Sequence, residues 1–192
     1  MLRKRKRTFA RKHQNWTEDQ WSKILWSDES KFCLFGSDGK RYVRRPVGTR
    51  YDVRYQIPTV KHGGGNVKVW GCFSYYGVGP LVEIIGNMDK VLYKSILADT
   101  MLPFAKSKMP RGWIFQHDND PKHTSGVVKD WLKSSKVHIL DWPSQSPNLN
   151  PIEHLWKCLN DDVAASGFQA KNKEQLIEKV KIAWNRIAPS LC

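Results

Sequence analysis

Three acidic side chains are placed along the chain as ligands for a hard metal ion would be. Asp28 lies in "LWSDES", Asp118 in "QHDNDPKHTS" and Glu153 in "NPIEHLW". The first two are expected to close strands and the third to lie in the first turn of a helix, and such ends meet at one edge of an α/β sheet. Carboxylates gathered there suit Mg²⁺ or Mn²⁺. Two such ions can clamp the attacking and leaving oxygens of a phosphodiester.

Glu153, and Asp120 near Asp118, also have a purely structural interpretation. Glu153 follows Asn150 by three residues with Pro151 between them, the pattern of an N-cap, a first-turn proline and a capping-box partner. Asp120 precedes Pro121, which is typical of an N-cap of the next helix. From local pattern alone, capping remains an alternative to metal binding for Glu153, and we interpret Asp120 as a cap.

Alternation along the strands separates the neighbours of the two aspartates. Asp118 continues the face of Ile114 and Gln116, so it extends a mainly apolar strand into the site. Glu29 should point away from Asp28 if that strand continues, so only one of this pair is expected in the site. The histidines His117 and His154 are interpreted as packing or surface residues rather than ligands.

The elements that would position these acids follow from hydrophobic periodicity. The pattern predicts a mixed sheet flanked by helices, an α/β architecture. A capping box at Thr17 and Gln20 predicts a short helix. Strands are predicted at 23–28, 31–36, 66–77, 112–118 and 136–142, the first two joined as a hairpin, and helices at 88–104, 121–135, 152–163 and 173–187.

Composition restricts the partners of the chain. The 192 residues suit one domain, and 40% of them are apolar, with five tryptophans expected in the core: Trp26, Trp70, Trp113, Trp142 and Trp156. The formal net charge of +14 favours a polyanion, chiefly nucleic acid. No stretch has the length of a membrane span, and the N-terminus lacks the apolar region of a secretory signal. The four cysteines are widely spaced and are expected to be reduced thiols.

Basic residues fall in two segments and at one expected helix start. Residues 1–15 form a basic lead whose "RKRKR" is a nuclear localisation signal, a DNA-contacting arm or a solvated helix start. Lys122 and His123 lie at an expected helix N-terminus, where backbone N–H groups favour phosphate, and a solvated or packed role is the equal alternative to DNA contact. The long basic segment 36–65 adds the remaining candidate DNA contacts, Arg44, Arg45, Arg50, Arg54 and Lys61.

Three motifs, "LWSDESKF", "HDNDPKHTS" and "WPSQSPNLNPIEHLW", closely resemble the catalytic domain of Tc/mariner superfamily DNA transposases, in particular the Tc-type branch. The resemblance covers the chain from about Trp16 to its end. The family carries an Asp-Asp-Glu triad on an RNase H-like fold, with 34 residues between the second Asp and the Glu. Here 153 − 118 − 1 = 34, whereas Asp120 would give 32, so the resemblance selects Asp28, Asp118 and Glu153.

The resemblance implies two-metal phosphoryl transfer on double-stranded DNA in the nucleus. Water would cleave the end of a transposable element, and the freed 3′-OH would attack target DNA at a TA step. Residues 36–65 would be a β-hairpin clamp loop that contacts DNA or a second subunit, so a homodimer is a further expectation. Residues 1–15 would be a linker remnant and 16–192 the catalytic domain.

Two other functions compete with an active transposase. Members of the family carry paired helix-turn-helix modules before the catalytic domain, whereas only the basic lead precedes Trp16 here. The chain is therefore expected to be a catalytic domain alone, and a catalytically inactive DNA-binding remnant is the first alternative. The second is a related nuclease that cleaves RNA–DNA hybrids, which the spacing of 34 residues disfavours.

Overall fold

A central mixed sheet organises the part of the chain that the computed structural model describes, namely residues 2–34, 46, 49, 52, 65–165 and 170–192. Within these ranges the sheet has five strands in the order β3-β2-β1-β4-β5. They are β1 (Ile24–Cys33), β2 (Asn66–Ser74), β3 (Gly77–Ile84), β4 (Ile114–Phe115) and β5 (His138–Ile139). β1 pairs antiparallel with β2 and parallel with β4, so the sheet is mixed, as the sequence predicts.

Helices cover both faces of this sheet. They are α1 (Leu2–His13), α2 (Glu18–Ser22), α3 (Lys90–Ile96), α4 (Leu102–Lys108), α5 (Gly126–Ser134), α6 (Ile152–Ala165) and α7 (Lys173–Asn185), with a π-helical turn at Leu97–Met101 and 3₁₀ turns at Pro147–Leu149 and Pro189–Leu191. The π turn ends two residues before Pro103, which has no N–H to donate to an α-helical ladder. No helix among the described residues is long and apolar enough to cross a membrane.

Alternation along the strands divides the core into two clusters. On one face, Ile24, Trp26 and Phe32 of β1 pack with α6 and α7. On the other, Leu25 packs with α3, α4 and α5. The result is a helix–sheet–helix layering in which α6 and β1 share one core. The tryptophans expected in the core are buried or half-buried, and the four cysteines are free thiols.

The hairpin predicted from residues 23–36 is wrong. β1 is one continuous strand, and it pairs with β2 without interruption from Trp26 to Cys33. The polar residues that suggested a turn lie instead in the half-buried middle of the strand. The hairpin of this sheet joins β2 to β3 through a turn at Tyr75 and Tyr76. Strand β3 was missed by the sequence pattern.

The predicted helix at 121–135 begins later than its proline suggested. Residues 121–124 form a turn, and α5 begins at Gly126 after Ser125. The clamp loop predicted at 36–65 lies almost entirely outside the described residues. So do Arg44, Arg45, Arg50, Arg54 and Lys61, whose DNA contacts stay predictions.

Candidate active site

The three predicted carboxylates come from three elements next to one another in the fold. Asp28 lies in the middle of β1, not at its end as expected, but the parallel pairing with β4 stops just before it, at Leu25. Asp118 follows the end of β4 by three residues, and Glu153 is the second residue of α6. Asp118 and Glu153 are exposed and Asp28 is half-buried, so this edge of the sheet is open to a large substrate.

Ser27 ties the backbones of these three elements together. Its N–H donates to Gln116 Oε1 at 3.2 Å, and its Oγ donates to the Gln116 carbonyl at 2.8 Å. The Ser27 carbonyl in turn accepts from Asn150 Nδ2 at 3.4 Å. All three residues are buried. The neighbours of Asp28, Asp118 and Glu153 in the sequence are therefore fixed to one another.

A glycine allows α6 to approach the strand that carries Asp28. Gly71 of β2 is the register partner of Asp28. A Cβ added at Gly71 would lie 2.7 Å from Cη2 of Trp156 and 3.1 Å from Cδ1 of Leu81. The indole of Trp156 therefore fills the space that any other residue would occupy, and Trp156 is one helical turn from Glu153.

The pKa of Asp28 reflects its burial and the acidic side chains around it. Burial raises its pKa to about 7, against a lowering effect of the Glu29 N–H, which donates to Oδ1 at 2.8 Å. Burial is the largest cause of this value, and the negative charges of Glu153, Glu29 and Asp118 contribute to it in the same direction. Burial also raises the pKa of Glu153. The ionised carboxylates at this edge thus repel one another, and a bound cation would relieve the repulsion.

The donor set fits a divalent cation in its chemistry. Carboxylate oxygens are the ligands that Mg²⁺ and Mn²⁺ prefer. As the side chains stand, no group of three or more His, Cys, Asp or Glu residues within the described ranges is arranged to hold a metal ion. Coordination by Asp28, Asp118 and Glu153 together therefore requires adjustment of side chains on a fixed backbone.

An unpredicted pair of residues connects Asp118 to β1. His123 Nδ1 lies 2.6 Å from Asp118 Oδ1, and its Nε2 lies 3.0 Å from Glu29 Oε1. Burial lowers the pKa of His123, but the hydrogen bonds to the two carboxylates outweigh it and raise the pKa to about 8. For Asp118, burial opposes the effect of the bonds from His123 and the Asp120 N–H, and the net result is a lowered pKa.

Glu29 therefore does reach the site, contrary to the expectation from alternation. Its side chain leaves the opposite face of β1 from Asp28, yet it contacts the buried His123 from that side. Alternation describes where a side chain starts, and it does not describe what the loop after β4 brings to meet it. Nothing in the sequence indicated that Glu29 of "DES" and His123 of "KHT" would be in contact.

Lys122 and Asp120 form the outer part of the same cluster. Lys122 Nζ contacts Glu29 Oε2 at 3.2 Å and Asp120 Oδ2 at 2.9 Å. Asp120 Oδ1 accepts from the Lys122 N–H at 2.9 Å, so Asp120 caps the turn 121–124 and not a helix, which corrects the N-cap interpretation. The DNA contacts expected of Lys122 and His123 stay predictions. In this arrangement His123 is buried, and both residues are engaged with carboxylates.

The capping interpretation of Glu153 lacks its partner. The Asn150 N–H, which a capping box would direct to Glu153, donates to the Pro147 carbonyl at 2.9 Å. Asn150 Oδ1 accepts from the Ile152 N–H at 3.4 Å, so Asn150 itself does begin α6. The Glu153 carboxylate is thereby available to the site.

His117 and His154 have the packing and surface positions expected of them from the sequence. His117 is buried and lies 3.0 Å from the Tyr93 hydroxyl, and burial lowers its pKa to about 4. His154 is exposed, with Nε2 3.6 Å from Cys158 Sγ.

Comparison with known proteins decides the family. Residues 23–177 match the sequence model of the family described as DDE superfamily endonuclease, and this range contains all three carboxylates. This chain belongs to the DDE superfamily of endonucleases. Its resemblance to the Tc/mariner transposases is confirmed by the transposase of transposable element Tcb1 from Caenorhabditis briggsae. The two are 50% identical over 185 residues, which are 96% of this chain and 67% of that protein.

Two solved structures share the fold of this chain. The Mos1 transposase in its paired-end complex with the left transposon end matches with a TM-score of 0.76 at 17% identity, over 99% of this chain and 56% of that one. The Mos1 catalytic domain with raltegravir and Mg matches with a TM-score of 0.71 at 17% identity, over 99% of this chain and 85% of that one. The RNase H-like α/β fold is thus confirmed. The chain spans about two thirds of its Tcb1 relative and 56% of the Mos1 chain.

Proposed function

We propose that the chain is the catalytic domain of a cut-and-paste DNA transposase, which hydrolyses a phosphodiester at the end of an element and then joins the freed strand to a target. The observation that carries this proposal is the meeting of Asp28, Asp118 and Glu153 at one open sheet edge, held by the Ser27 hydrogen bonds. The family match supports it. The Tcb1 relative that matches 96% of this chain is named a transposase.

Asp28, Asp118 and Glu153 would hold two divalent cations, Mg²⁺ or Mn²⁺. Bound there, such ions supply charge neutralisation for the phosphodiester and lower the pKa of an attacking water. The catalytic domain of Mos1 has been solved with Mg, which supports a divalent cation in this family. The three carboxylates position the reacting groups, and no covalent protein intermediate is needed.

The DNA substrate fits the charge of the chain. The acids form a small negative pocket on a protein of net charge +14, so the surface attracts phosphates and the pocket takes up cations. Among described elements, α1 supplies an exposed basic face with no acidic residue in its first turn. Phe9 and His13 anchor this helix against Trp142 and Trp16. Lys6 Nζ donates to Asn148 Oδ1 at 3.1 Å, in the loop that leads to Glu153.

The finer parts of the proposal follow the family resemblance. The target would be a TA-containing duplex, the substrate ends would be the terminal repeats of an element, and the enzyme would act as a homodimer in the nucleus. The Mos1 paired-end complex with a transposon end supports DNA ends as the substrate class. A tagged chain found only in the cytoplasm of a eukaryotic cell would contradict the nuclear part.

The first test is metal binding, followed by DNA cleavage. Calorimetric titration with Mn²⁺ should show binding by the wild-type chain and its loss in Asp118→Asn, which keeps the shape of the side chain and removes its charge. A supercoiled plasmid with Mn²⁺ should then be nicked by the wild type and not by Asp118→Asn. Equal Mn²⁺ binding by both proteins would contradict the proposed site.

The substrate separates the competing functions. Metal binding with DNA binding, but without nicking or strand transfer from a pre-cleaved end, would identify an inactive DNA-binding remnant. Preferential cleavage of an RNA–DNA hybrid over duplex DNA would instead identify a hybrid-specific nuclease. Nicking and joining of duplex DNA is the result expected here.

A further inference from the structure

We propose that Glu29 and His123 are positioning residues that hold the carboxylates of Asp28 and Asp118 within reach of the same cation. The inference rests on the proposed metal site and assigns roles to two residues outside the triad. The path runs from Glu29 Oε1 to His123 Nε2 at 3.0 Å and from His123 Nδ1 to Asp118 Oδ1 at 2.6 Å. It therefore links strand β1 directly to the loop that carries Asp118.

The backbone of Glu29 also acts on the first aspartate. Its N–H donates to Asp28 Oδ1 at 2.8 Å, while its side chain holds His123. One residue thus contacts one carboxylate through its main chain and the other through an imidazole. A displacement of Glu29 would move both carboxylates.

The hydrogen bonds also distinguish the two oxygens of Asp118. Oδ1 accepts from His123 and from the Asp120 N–H at 3.0 Å. Within the described ranges Oδ2 has no hydrogen bond, so it is the oxygen left for a cation. Hydrogen bonds that orient a ligating carboxylate change metal affinity by about 10–100-fold when they are lost.

The surroundings of His123 are built to keep the imidazole in place. Its ring stacks on Tyr93 with centroids 3.9 Å apart, and its side chain is 4% exposed. The Tyr93 hydroxyl lies 3.0 Å from His117 Nδ1. Lys122 holds the second oxygen of Glu29 at 3.2 Å. A histidine with only a packing role would not need a carboxylate on each nitrogen.

The test measures Mn²⁺ affinity directly, by electron paramagnetic resonance of the free ion, without DNA. Glu29→Gln and His123→Phe should each weaken Mn²⁺ binding by roughly 10-fold or more. His123→Phe retains a ring to stack on Tyr93 and removes no negative charge, so weaker binding there cannot arise from lost attraction for the cation. Glu83→Gln, a matched substitution on β3 away from the cluster, should leave the affinity unchanged.

A second substitution of the histidine separates positioning from packing. The amide of Asn lies close to the place of Nδ1, so His123→Asn retains a donor for Asp118 and loses the stacked ring. Positioning predicts tighter Mn²⁺ binding by His123→Asn than by His123→Phe. Packing alone predicts the reverse order. The double variant Glu29→Gln/His123→Phe should lose less affinity than the two single losses combined, because the pair acts as one unit.

Each outcome assigns the failure to one proposal. If Asp118→Asn loses Mn²⁺ binding while Glu29→Gln and His123→Phe retain wild-type affinity, the positioning role is overturned and the metal site stands. If Asp118→Asn also binds as wild type, the metal site itself is wrong. Circular dichroism confirms that each variant is folded, and Glu29→Gln with His123→Asn decides the question should His123→Phe not fold.

Discussion

Ser27 is joined to Gln116 by two hydrogen bonds, one from its N–H and one from its Oγ, at 3.2 and 2.8 Å. This link crosses from β1 to the end of β4, one residue before Asp28 and two before Asp118. Neither residue is a proposed metal ligand, yet the pair links the two strands where the carboxylates emerge. The stability of the site edge should therefore depend on this serine.

Ser27→Ala is expected to lower the free energy of unfolding by about 1–3 kcal/mol, because it leaves the buried Gln116 carbonyl without its hydroxyl donor. Urea denaturation followed by tryptophan fluorescence measures the change. Ser30→Ala, three residues along the same strand and half-buried, is the matched control, expected within about 0.5 kcal/mol of wild type. Equal effects of the two substitutions would show that the link contributes no stability.

The raised pKa of Asp28 predicts a pH dependence of stability in the absence of divalent metal. The pKa of Asp28 in the folded protein, about 7, lies above the ordinary 3.8. Between these two pH values the folded protein therefore holds a proton that the unfolded chain has lost. The contribution of this group is complete below about pH 3.8 and disappears as the pH rises through about 7. Above that pH the buried charge destabilises the fold.

Asp28→Asn removes this charge and is expected to raise the Tm at pH 8 in EDTA by about 3–6 °C relative to wild type. The difference should shrink at pH 5, where the wild-type carboxyl is largely protonated in the folded state. Differential scanning calorimetry at both pH values measures it, and comparing variant with wild type cancels the contribution of His123. A Tm difference that does not change with pH would contradict the assignment of the raised pKa to Asp28.

With a divalent metal ion bound, the wild type should have a higher Tm than Asp28→Asn, the reverse of the order expected in EDTA. Mn²⁺ at pH 8 should raise the Tm of the wild type, because an ion that binds only the folded state stabilises it by mass action. Asp28→Asn should gain little, because it has lost a ligand. Mg²⁺ is expected to act in the same direction, and KCl at matched ionic strength serves as a control for nonspecific ionic effects. A Tm rise of equal size in wild type and Asp28→Asn would argue against metal binding at Asp28.

The close approach of Trp156 to Gly71 predicts a fourth effect. Gly71→Ala places a methyl group 2.7 Å from the indole, so α6 must shift or the ring must turn, at a cost of about 1–3 kcal/mol. Because α6 carries Glu153, Mn²⁺ affinity should fall as well.

Gly126→Ala is the matched control for that substitution. A Cβ at Gly126 meets nothing within 4 Å, and the residue lies in helix α5. Because Gly126 has no positive φ and open space for a Cβ, its replacement by alanine stabilises by about 0.4–1 kcal/mol through the lower conformational entropy of the unfolded chain. Urea denaturation should thus give opposite signs for the two glycines. A neutral Gly71→Ala would show that Trp156 has room to move.

Most of the layering was predicted from the sequence for identifiable reasons, and the three predicted carboxylates lie on neighbouring elements. The apolar stripe of α7 and the capping box of Thr17 are local patterns, and the structure contains both: Thr17 Oγ1 accepts from the Gln20 N–H, and Gln20 Oε1 accepts from the Thr17 N–H. Asp118 was selected over Asp120 by spacing, and the family match covers that position.

The features that the sequence missed depend on contacts between distant residues. β1 is continuous because β2 pairs with its polar middle, and no local signal distinguishes that from a turn. The link from Glu29 to His123 joins residues 94 positions apart. Glu29 was assigned correctly to the face opposite Asp28 and His123 to a helix end, but their contact was not predicted, because periodicity describes one element at a time.

The basic face of α1 predicts how DNA affinity depends on salt. Arg3, Arg7 and Arg11 recur every four residues, so they are exposed along one side of this helix, which is anchored to the domain by Phe9. Replacing all three arginines by Gln should weaken binding to a fluorescent duplex. Each lost phosphate contact should reduce the slope of log K against log salt concentration by about 0.9.

The control changes the same number of charges elsewhere. Lys173, Lys181 and Arg186 are exposed positions on or directly after α7, and their replacement by Gln lowers the net charge equally. If DNA tracks α1, the α1 variant loses more affinity and more salt slope than the α7 variant, because only direct phosphate contacts release counterions. Equal losses in the two variants would mean that the net charge of the domain, and not the surface of α1, attracts the DNA.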